Sequence, residues 1–389
     1  MSFFAFIKRY LCFFISIALL FSITVFSTNA LENDDNSNMS FDCKSAVLME
    51  ANTGTVLYEF NADESLPPAS VTKIMTLLLV MEEIDKGNLK YSDMITTSAY
   101  ASSMGGSQIY LKEGEQMSAE DMIKSVVISS ANDAAVALAE HICGSEQIFV
   151  HRMNEKAREL GMQNTHFENT NGLDDTVSNH VTSARDIAIM SRELLKHKDI
   201  LKYSSTWMDT IRNGSFGLTN TNRLVRFYKG ATGLKTGSTA KAKFCVSATA
   251  ERDGMHLICV IMGAPSSDVR NTIATQLLNW GFANYEIYTD YSEILPPIKV
   301  NLGVENRCQI MSEGFSAVVK KGEASKIKKS VKMPNNISAP VAYGDQIGYI
   351  EYIIQNKIIG KSDILSTESI EKIDFWGLFV RILSKFLIK

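Results

Sequence analysis

The chain has 389 residues, of which 45% are hydrophobic and 21% charged, and this composition is typical of a globular protein rather than a disordered, fibrous or polytopic membrane protein. Its formal net charge of -4 gives no electrostatic reason to expect a nucleic-acid partner. Six cysteines form no CxxC pair and six histidines form no HExxH motif, so we expect no structural zinc, no catalytic metal and no cofactor.

The N-terminus has the pattern of an export signal. Lys8 and Arg9 precede an uncharged apolar run, residues 10–30, that ends in small polar residues. This order predicts a cleaved signal peptide over residues 1–30. The alternative is an uncleaved transmembrane anchor, because the run is about long enough to span a bilayer. We therefore expect an exported, extracytoplasmic protein that keeps five cysteines, at least one of them unpaired.

Residues 43–292 are predicted to form one α+β domain. Two short apolar runs, 45–50 and 55–60, are joined through Asn52-Thr53-Gly54, which predicts a hairpin. Residues 74–84 are apolar nearly all round, which predicts a buried helix. Capping pairs indicate two further helix starts: Ser118 with Asp121, and Ser183 with Asp186.

A second hairpin is predicted near the end of this domain. Its strands cover residues 244–250 and 255–262, joined through Arg252-Asp253-Gly254, and a helix follows from about 267 to 280. Because strands lie at both ends of the domain and helices between them, we expect one sheet that joins the two ends.

The composition changes at Ile294-Leu295-Pro296-Pro297. From there the chain is strand-like, and we predict a small, separate β domain over residues 293–365. The strand-like runs are 317–319, 341–343, 348–354 and 358–359.

Residues 370–389 are predicted to form an amphipathic helix. From Asp374 onward, small and basic residues share one narrow stripe, and aromatic and aliphatic residues cover the rest. From Asp374 to Lys389 the helix is roughly 24 Å long and repeats its basic residues every turn, so lying in a membrane interface suits it better than spanning. We expect it to attach the protein peripherally to the outer face of the cytoplasmic membrane; the alternative is a core or dimer helix. The stripe consists of Gly377, Arg381, Ser384, Lys385 and Lys389.

Ser70 and Lys73 form the first candidate catalytic pair, at the entrance to the buried helix. A serine hydroxyl needs a base to become a nucleophile, and a desolvated lysine one turn away, near another cation, can act as that base. The helix N-terminus also directs N–H groups at a developing oxyanion. The pattern alone is weak, since Ser-x-x-Lys occurs by chance; the alternative is a capping serine beside an exposed lysine.

Two further motifs strengthen this hypothesis. In Ser130-Ala131-Asn132, a hydroxyl could relay a proton and an amide could bind a substrate peptide group. The alternative is that Asn132 caps the helix that Gly144 ends. Lys235-Thr236-Gly237 offers an ammonium and a hydroxyl for a carboxylate, with a glycine that allows close backbone approach. Its alternative is an ordinary basic turn.

The three motifs occur in this order, 60 and 105 residues apart, which is the signature of active-site serine penicillin-recognising enzymes. From about residue 43 to the C-terminus the sequence resembles the low-molecular-weight penicillin-binding proteins that act as serine-type D-alanyl-D-alanine carboxypeptidases. The resemblance implies the serine transpeptidase/β-lactamase-like fold, an antiparallel sheet with a helical region. The stretches that carry it are Pro67-Pro68-Ala69-Ser70, Ser130-Ala131-Asn132-Asp133-Ala134, His166-Phe167-Glu168-Asn169, Asn171-Gly172-Leu173-Asp174 and Gly233-Leu234-Lys235-Thr236-Gly237.

The resemblance also implies the catalytic roles. Ser70 would attack the carbonyl of the penultimate D-alanine of a peptidoglycan stem pentapeptide, with Lys73 as its base. Ser130 would help pass the proton to the departing D-alanine, and the N–H groups of Ser70 and Ser238 would form the oxyanion hole. Water would then hydrolyse the acyl-enzyme. Penicillin mimics the terminal dipeptide, so it should acylate Ser70 and leave slowly.

Substrate binding follows from the same resemblance. Asn132 would bind the acyl-side amide, and Lys235 and Thr236 would hold the terminal carboxylate. Gly237, which has no side chain, would allow close approach of the backbone. Lys241 and Lys243 depart from many relatives, which have a small residue there, and two extra cations could alter carboxylate affinity or the pH optimum.

Two other function classes fit the sequence less well. A β-lactamase or esterase on the same fold is disfavoured because residues 167–171 lack the Glu-x-x-Leu-Asn arrangement of class A β-lactamases. A catalytically silent peptidoglycan-binding module is disfavoured because every motif residue is present. His166 invites a Ser-His-Asp triad, but a lone histidine in such a loop is more often structural, so it is not assigned a catalytic role.

Overall fold

A computed structural model describes residues 39–175 and 177–387 of the chain, with the side chains of residues 385–387 excepted. The predicted signal peptide, residues 1–30, lies outside the described residues. Within those ranges, no helix combines the length and the apolar character needed to cross a bilayer.

The strands, in chain order, are β1 (Ser45–Glu50), β2 (Val56–Phe60), β3 (Met94–Thr96), β4 (Gln116–Ser118), β5 (Met208–Ile211), β6 (Phe216–Thr219), β7 (Ala231–Thr239), β8 (Lys243–Arg252), β9 (Met255–Ala264), β10 (Tyr285–Asp290), β11 (Glu293–Asn301), β12 (Arg307–Ser312), β13 (Phe315–Lys320), β14 (Lys328–Lys332), β15 (Asn336–Ser338), β16 (Gln346–Ile354) and β17 (Lys357–Ser366).

The helices are α1 (Lys73–Asp85), α2 (Ala99–Ser102), α3 (Ala119–Ile128), α4 (Asn132–Cys143), α5 (Glu146–Glu159), α6 (Ala184–Leu194), α7 (Ile200–Ser204), α8 (Leu224–Phe227), α9 (Ser267–Asn284) and α10 (Phe375–Leu387). A 3₁₀ turn, Ala69–Thr72, leads directly into α1, and a second one covers Ala324–Lys326.

One antiparallel sheet joins the two ends of the catalytic region, as the sequence predicts. Its strand order is β2-β1-β9-β8-β7, so the N-terminal hairpin pairs with the second hairpin through β1 and β9. Side chains alternate across β1: Ala46 and Leu48 face α9, whereas Val47 and Met49 join the core of the helical region. Helices therefore cover both faces, which explains why all six residues of β1 are buried.

Helix α1 runs through the middle of the helical region. Ten of its thirteen residues are buried, which confirms the prediction of a buried helix. The predicted caps are confirmed as well, since Ser118 Oγ accepts the Asp121 N–H at 3.2 Å and Ser183 Oγ accepts the Asp186 N–H at 3.1 Å.

β7 is the edge strand of this sheet. Its outer side is not open along its length, because the turn before α1 packs against it at Gly237 and helices α7 and α8 also contact it. The nucleophile candidate and the third motif are thereby brought to one place.

The C-terminal β domain contains a six-stranded sheet with the order β14-β16-β17-β12-β11-β15. A separate two-stranded ribbon pairs β10 with β13. Its strands lie on opposite sides of the domain boundary that the sequence predicts at residue 292. The predicted strand at 341–343 is wrong: only Val341 forms a bridge, with Ile370, because the chain turns where Asp345 bonds back to Ala342.

Helix α10 exposes six large apolar side chains to solvent. Arg381, from the basic stripe, donates to the Gly303 carbonyl at 2.8 Å, to Asn306 Oδ1 at 2.9 Å and to the Val304 carbonyl, so this cation anchors the helix to the β domain. The exposed large apolar residues of the helix are Phe375, Trp376, Phe379, Val380, Ile382 and Leu383.

Candidate active site

Ser70 lies in the 3₁₀ turn that opens α1 and is partly exposed. The turn begins after Pro68 without a side-chain cap, so the alternative reading of Ser70 as a capping serine is excluded. Ala69, just before it, has a left-handed φ of 49°, which is uncommon for a residue other than glycine. The chain thus turns sharply and leaves the Ser70 side chain at the mouth of the site.

Lys73 is fully buried, which also excludes the exposed lysine of that alternative reading. Its Nζ lies 2.9 Å from Ser70 Oγ, 2.5 Å from Asn132 Oδ1 and 2.8 Å from the Asn171 carbonyl oxygen. Burial, followed by the nearby Lys235 ammonium, holds the pKa of Lys73 well below its usual value, and Asp133 opposes this shift.

The three partners of Lys73 differ in what they can do. The Asn132 and Asn171 oxygens can only accept, so they take the two N–H groups of a neutral amine. Its lone pair is then left for Ser70, whose hydroxyl can donate. These contacts fit the neutral amine as well as the ammonium, and the burial that lowers the pKa of Lys73 favours the neutral form, which can accept the Ser70 proton.

The second motif turns between α3 and α4. Ser130 is buried and has a φ of 62°, and Ala131, rather than Asn132, is the N-cap of α4. Asn132 Nδ2 instead donates to the Gly105 carbonyl at 2.6 Å. Asn132 is therefore a direct contact of Lys73. Ser130 lies two residues before Asn132 in the sequence, in the turn between the two helices.

The third motif lies within β7, so the alternative reading of an ordinary basic turn is wrong. Lys235 is 1% exposed, and its Nζ donates to the Thr236 carbonyl at 2.9 Å. Thr236 Oγ1 donates to Thr221 Oγ1 at 2.7 Å, and Ser238 is exposed. Burial, with a smaller contribution from Arg270, lowers the pKa of Lys235 to about 7.

Gly237 joins the first and third motifs. A Cβ added there would lie 2.8 Å from the Ser70 nitrogen and 2.9 Å from both the Pro68 oxygen and the Val71 nitrogen. No side chain fits at this distance, so the close approach depends on glycine.

Several residues of the site were not assigned from the sequence. Asn171 contributes its backbone carbonyl, and backbone groups leave no signal in a side-chain pattern. Arg270, which is 5% exposed, adds a second buried cation near Lys235. It is a single arginine in α9, and no sequence motif marks it as a site residue. His180 contacts Thr72, within the Ser-x-x-Lys motif.

Three residues that the sequence suggested as relevant to the site lie outside the group of residues around Lys73 and Lys235. His166 is exposed, and its Nδ1 lies 3.0 Å from the Asn179 carbonyl oxygen. Lys241 and Lys243 are exposed at the turn between β7 and β8. Among the described residues, no three His, Cys, Asp or Glu side chains are placed to hold a metal ion.

Two family profiles match the chain in order. The profile of D-alanyl-D-alanine carboxypeptidase matches residues 32–266, and that of the penicillin-binding protein 5 C-terminal domain matches residues 294–372. The chain is 43% identical to the D-alanyl-D-alanine carboxypeptidase DacF of Bacillus subtilis over 363 residues, which are 91% of this chain and 93% of that protein. It is 32% identical to DacC of Escherichia coli, covering 87% and 86% of the two chains.

The fold is similar to that of solved penicillin-binding proteins. Penicillin-binding protein 5 from Haemophilus influenzae superposes with a TM-score of 0.76 at 30% identity, covering 86% of this chain and 99% of that chain. The α+β fold of the serine transpeptidases, with its C-terminal β domain, is confirmed.

Replacing Gly237 by alanine should disable the site. The new methyl group would push the Ser70 turn away from β7, and misplacement by about 1 Å is expected to cost around 100-fold in the rate of Ser70 acylation by penicillin. Gly217→Ala is the matched control, since a Cβ there meets nothing within 4 Å. Normal penicillin labelling of Gly237→Ala would contradict the steric argument.

The structural and sequence findings agree. The site contains a buried lysine beside a serine and an asparagine, and a strand with the sequence lysine-threonine-glycine. All of these residues lie in the segment that the D-alanyl-D-alanine carboxypeptidase profile matches. The alternatives of a β-lactamase and of a silent module find no support in these comparisons. The chain belongs to the D-alanyl-D-alanine carboxypeptidase family and is a serine-type, penicillin-binding carboxypeptidase that acts on peptidoglycan.

Proposed function

We propose that the carboxypeptidase reaction runs through an acyl-enzyme on Ser70 with Lys73 as general base. The observation that carries this proposal is the set of Lys73 contacts: two acceptor-only oxygens and the Ser70 hydroxyl at 2.9 Å. Ser70 Oγ attacks the carbonyl carbon of the penultimate D-alanine while its proton moves to Lys73 Nζ. The resulting ammonium has three N–H groups for three oxygen partners, so the proton is held without rearrangement.

The later steps use the other motif residues. The N–H groups of Ser70 and Ser238 stabilise the oxyanion of the tetrahedral intermediate. Ser130 passes the proton from the Lys73 side to the nitrogen of the departing D-alanine, and the C–N bond breaks. Water then hydrolyses the ester on Ser70, and the stem peptide leaves one D-alanine shorter.

Recognition of the free carboxylate is assigned to β7. Lys235 and Arg270 are buried cations; burial lowers the pKa of Lys235 most, and repulsion from Arg270 lowers it further. A substrate carboxylate relieves that repulsion, so binding favours peptides that end in a free carboxyl group. Thr236 adds a hydroxyl, and Asn132 binds the amide on the acyl side.

The first test compares the soluble mature protein with Ser70→Ala on a diacyl-Lys-D-Ala-D-Ala tripeptide and with fluorescent penicillin. We expect D-alanine release and labelling in the parent, and neither in Ser70→Ala, because the acyl-enzyme cannot form. Labelling that persists in Ser70→Ala would place the nucleophile elsewhere.

The pH dependence tests the role of Lys235. Since the pKa of Lys235 is lowered to about 7, its charge is present below that pH and is lost above it. We expect kcat/KM for the tripeptide to fall about tenfold per pH unit on the basic side, because that ratio reports groups of the free enzyme. In Lys235→Arg the guanidinium stays charged, so this basic limb should disappear from the accessible range. An unchanged limb would assign it to another group.

We further propose that the protein is exported and held peripherally on the outer face of the cytoplasmic membrane. Residues 1–30 serve as the cleaved signal, and α10 is the anchor. Two observations support the anchor: six large aromatic and aliphatic side chains of α10 are exposed, and Arg381 holds the helix to the β domain from the other side. An apolar helix face presented in this way suits insertion into the headgroup region of a bilayer.

Deleting residues 374–389 should move the signal-cleaved enzyme from the membrane to the soluble fraction. The rate of Ser70 acylation should stay within about twofold, because a surface change away from the site is nearly neutral. Trp376→Ser combined with Phe379→Ser should release the enzyme too, while Ser384→Ala is the matched polar control. Membrane retention of the signal-cleaved, tail-less form would contradict the proposal.

A further inference from the structure

His180 is a buried histidine next to the active site that the mechanism above does not use. It is 6% exposed and lies in the segment that also supplies the Asn171 carbonyl. Its Nδ1 lies 2.9 Å from the Glu168 nitrogen, and its Nε2 lies 2.7 Å from Thr72 Oγ1. Thr72 in turn lies between Ser70 and Lys73 in the first motif.

The hydrogen bonds assign one protonation state to His180. The Thr72 hydroxyl donates its only proton to the Ala69 carbonyl oxygen at 2.8 Å, so it must accept from His180 Nε2. The Glu168 N–H is a donor, so Nδ1 must accept. His180 is therefore neutral, with its proton on Nε2.

The surroundings of His180 are consistent with a neutral ring. Burial lowers its pKa to about 4; His166 also lowers it, while Glu168 and Asp174 partly oppose the shift. The ring also packs beside Phe167, with the two centroids 5.7 Å apart. A proton on Nδ1 would face the Glu168 N–H, so this pocket favours the neutral form.

The hydrogen bonds that run from His180 through Thr72 to the Ala69 carbonyl end on the peptide group that carries the Ser70 N–H. The Ala69 oxygen and the Ser70 N–H belong to the same planar peptide unit, so fixing the oxygen fixes the direction of the N–H. That unit follows Ala69, whose left-handed φ of 49° persists only where its surroundings determine it. Gly172 closes the other side, since a Cβ there would lie 1.9 Å from the Ala69 oxygen.

We propose that His180 is a positioning residue for the oxyanion hole: through Thr72 it fixes the Ala69 carbonyl and thereby aims the Ser70 N–H at the developing oxyanion. This inference rests on the proposed role of the Ser70 N–H. The ring nitrogens of His180 contact Thr72 and the Glu168 N–H rather than Ser70 or Lys73, so we expect its effect in the transition state rather than in substrate binding.

The test uses variants that remove or keep single bonds of the chain. Thr72→Val removes the hydroxyl, and His180→Asn removes the N–H donor to Thr72. Thr72→Ser keeps the hydroxyl, and His180→Gln places an amide N–H near the Nε2 position. His166→Asn, an exposed histidine of the same segment, is the matched control.

The readouts are the acylation rate constant with fluorescent penicillin, kcat and KM for the tripeptide, and the unfolding midpoint, all per folded enzyme. We expect Thr72→Val and His180→Asn to lower acylation and kcat by about 10- to 100-fold with little change in KM, since a misaligned oxyanion donor costs transition-state stabilisation. The double variant should lose no more than either single variant, because both act through one chain. Thr72→Ser and His180→Gln should recover most of the rate.

Two results would overturn the inference: acylation per folded enzyme that is normal in both disrupting variants, or losses that multiply in the double variant. Failure of the proposed function would give a distinguishable result. If penicillin labels a residue other than Ser70, the catalytic assignment is wrong, and this inference is wrong with it. If Ser70 is labelled and the His180 and Thr72 variants react normally, only the positioning role is lost.

Discussion

The catalytic domain depends on a lysine buried where a charge is costly. Removing an ammonium from water carries a penalty of several kcal/mol that a protein reduces by pairing or by deprotonation. Among the residues that the structure describes, no carboxylate is in hydrogen-bond contact with Lys73; its partners are a hydroxyl, a side-chain amide and a backbone carbonyl. Burial without a bonded carboxylate therefore favours the neutral amine in the fold, which is the form that the proposed reaction needs as its base.

This arrangement also explains how distant parts of the chain converge. Asn132 and Asn171 lie 59 and 98 residues from Lys73 along the sequence, yet both bond to the same nitrogen. Each contact needs the helical region to be closed around α1. Assembly of the catalytic site and formation of the core are therefore parts of one folding process.

Much of this could be predicted from the sequence because the relevant signals are local. The hairpins at both ends come from Asn52-Thr53-Gly54 and Arg252-Asp253-Gly254, and β1 has the predicted bounds of Ser45–Glu50. Ser70 and Lys73 are one turn apart on a short stretch, so their proximity needs no tertiary information.

The remaining features depend on tertiary contacts or on backbone atoms. His180 reaches Thr72 across 108 residues, and no local pattern connects them. The Asn171 contribution is a carbonyl, which every residue has. Arg381 belongs to the predicted basic stripe of an interfacial helix, whereas in the structure it bonds three β-domain acceptors, because the loop at 303–306 presents its oxygens there.

The position of β7 at the sheet edge has a consequence for solubility. An edge strand offers unpaired N–H and C=O groups to other chains, and proteins usually cover or interrupt such edges. Here part of the cover is the Ser70 turn, seated on Gly237. Anything that lifts this turn exposes main-chain groups as well as disabling the nucleophile, which couples catalytic damage to self-association. Selection against aggregation and selection for activity therefore act on the same contact, the one between the Ser70 turn and Gly237.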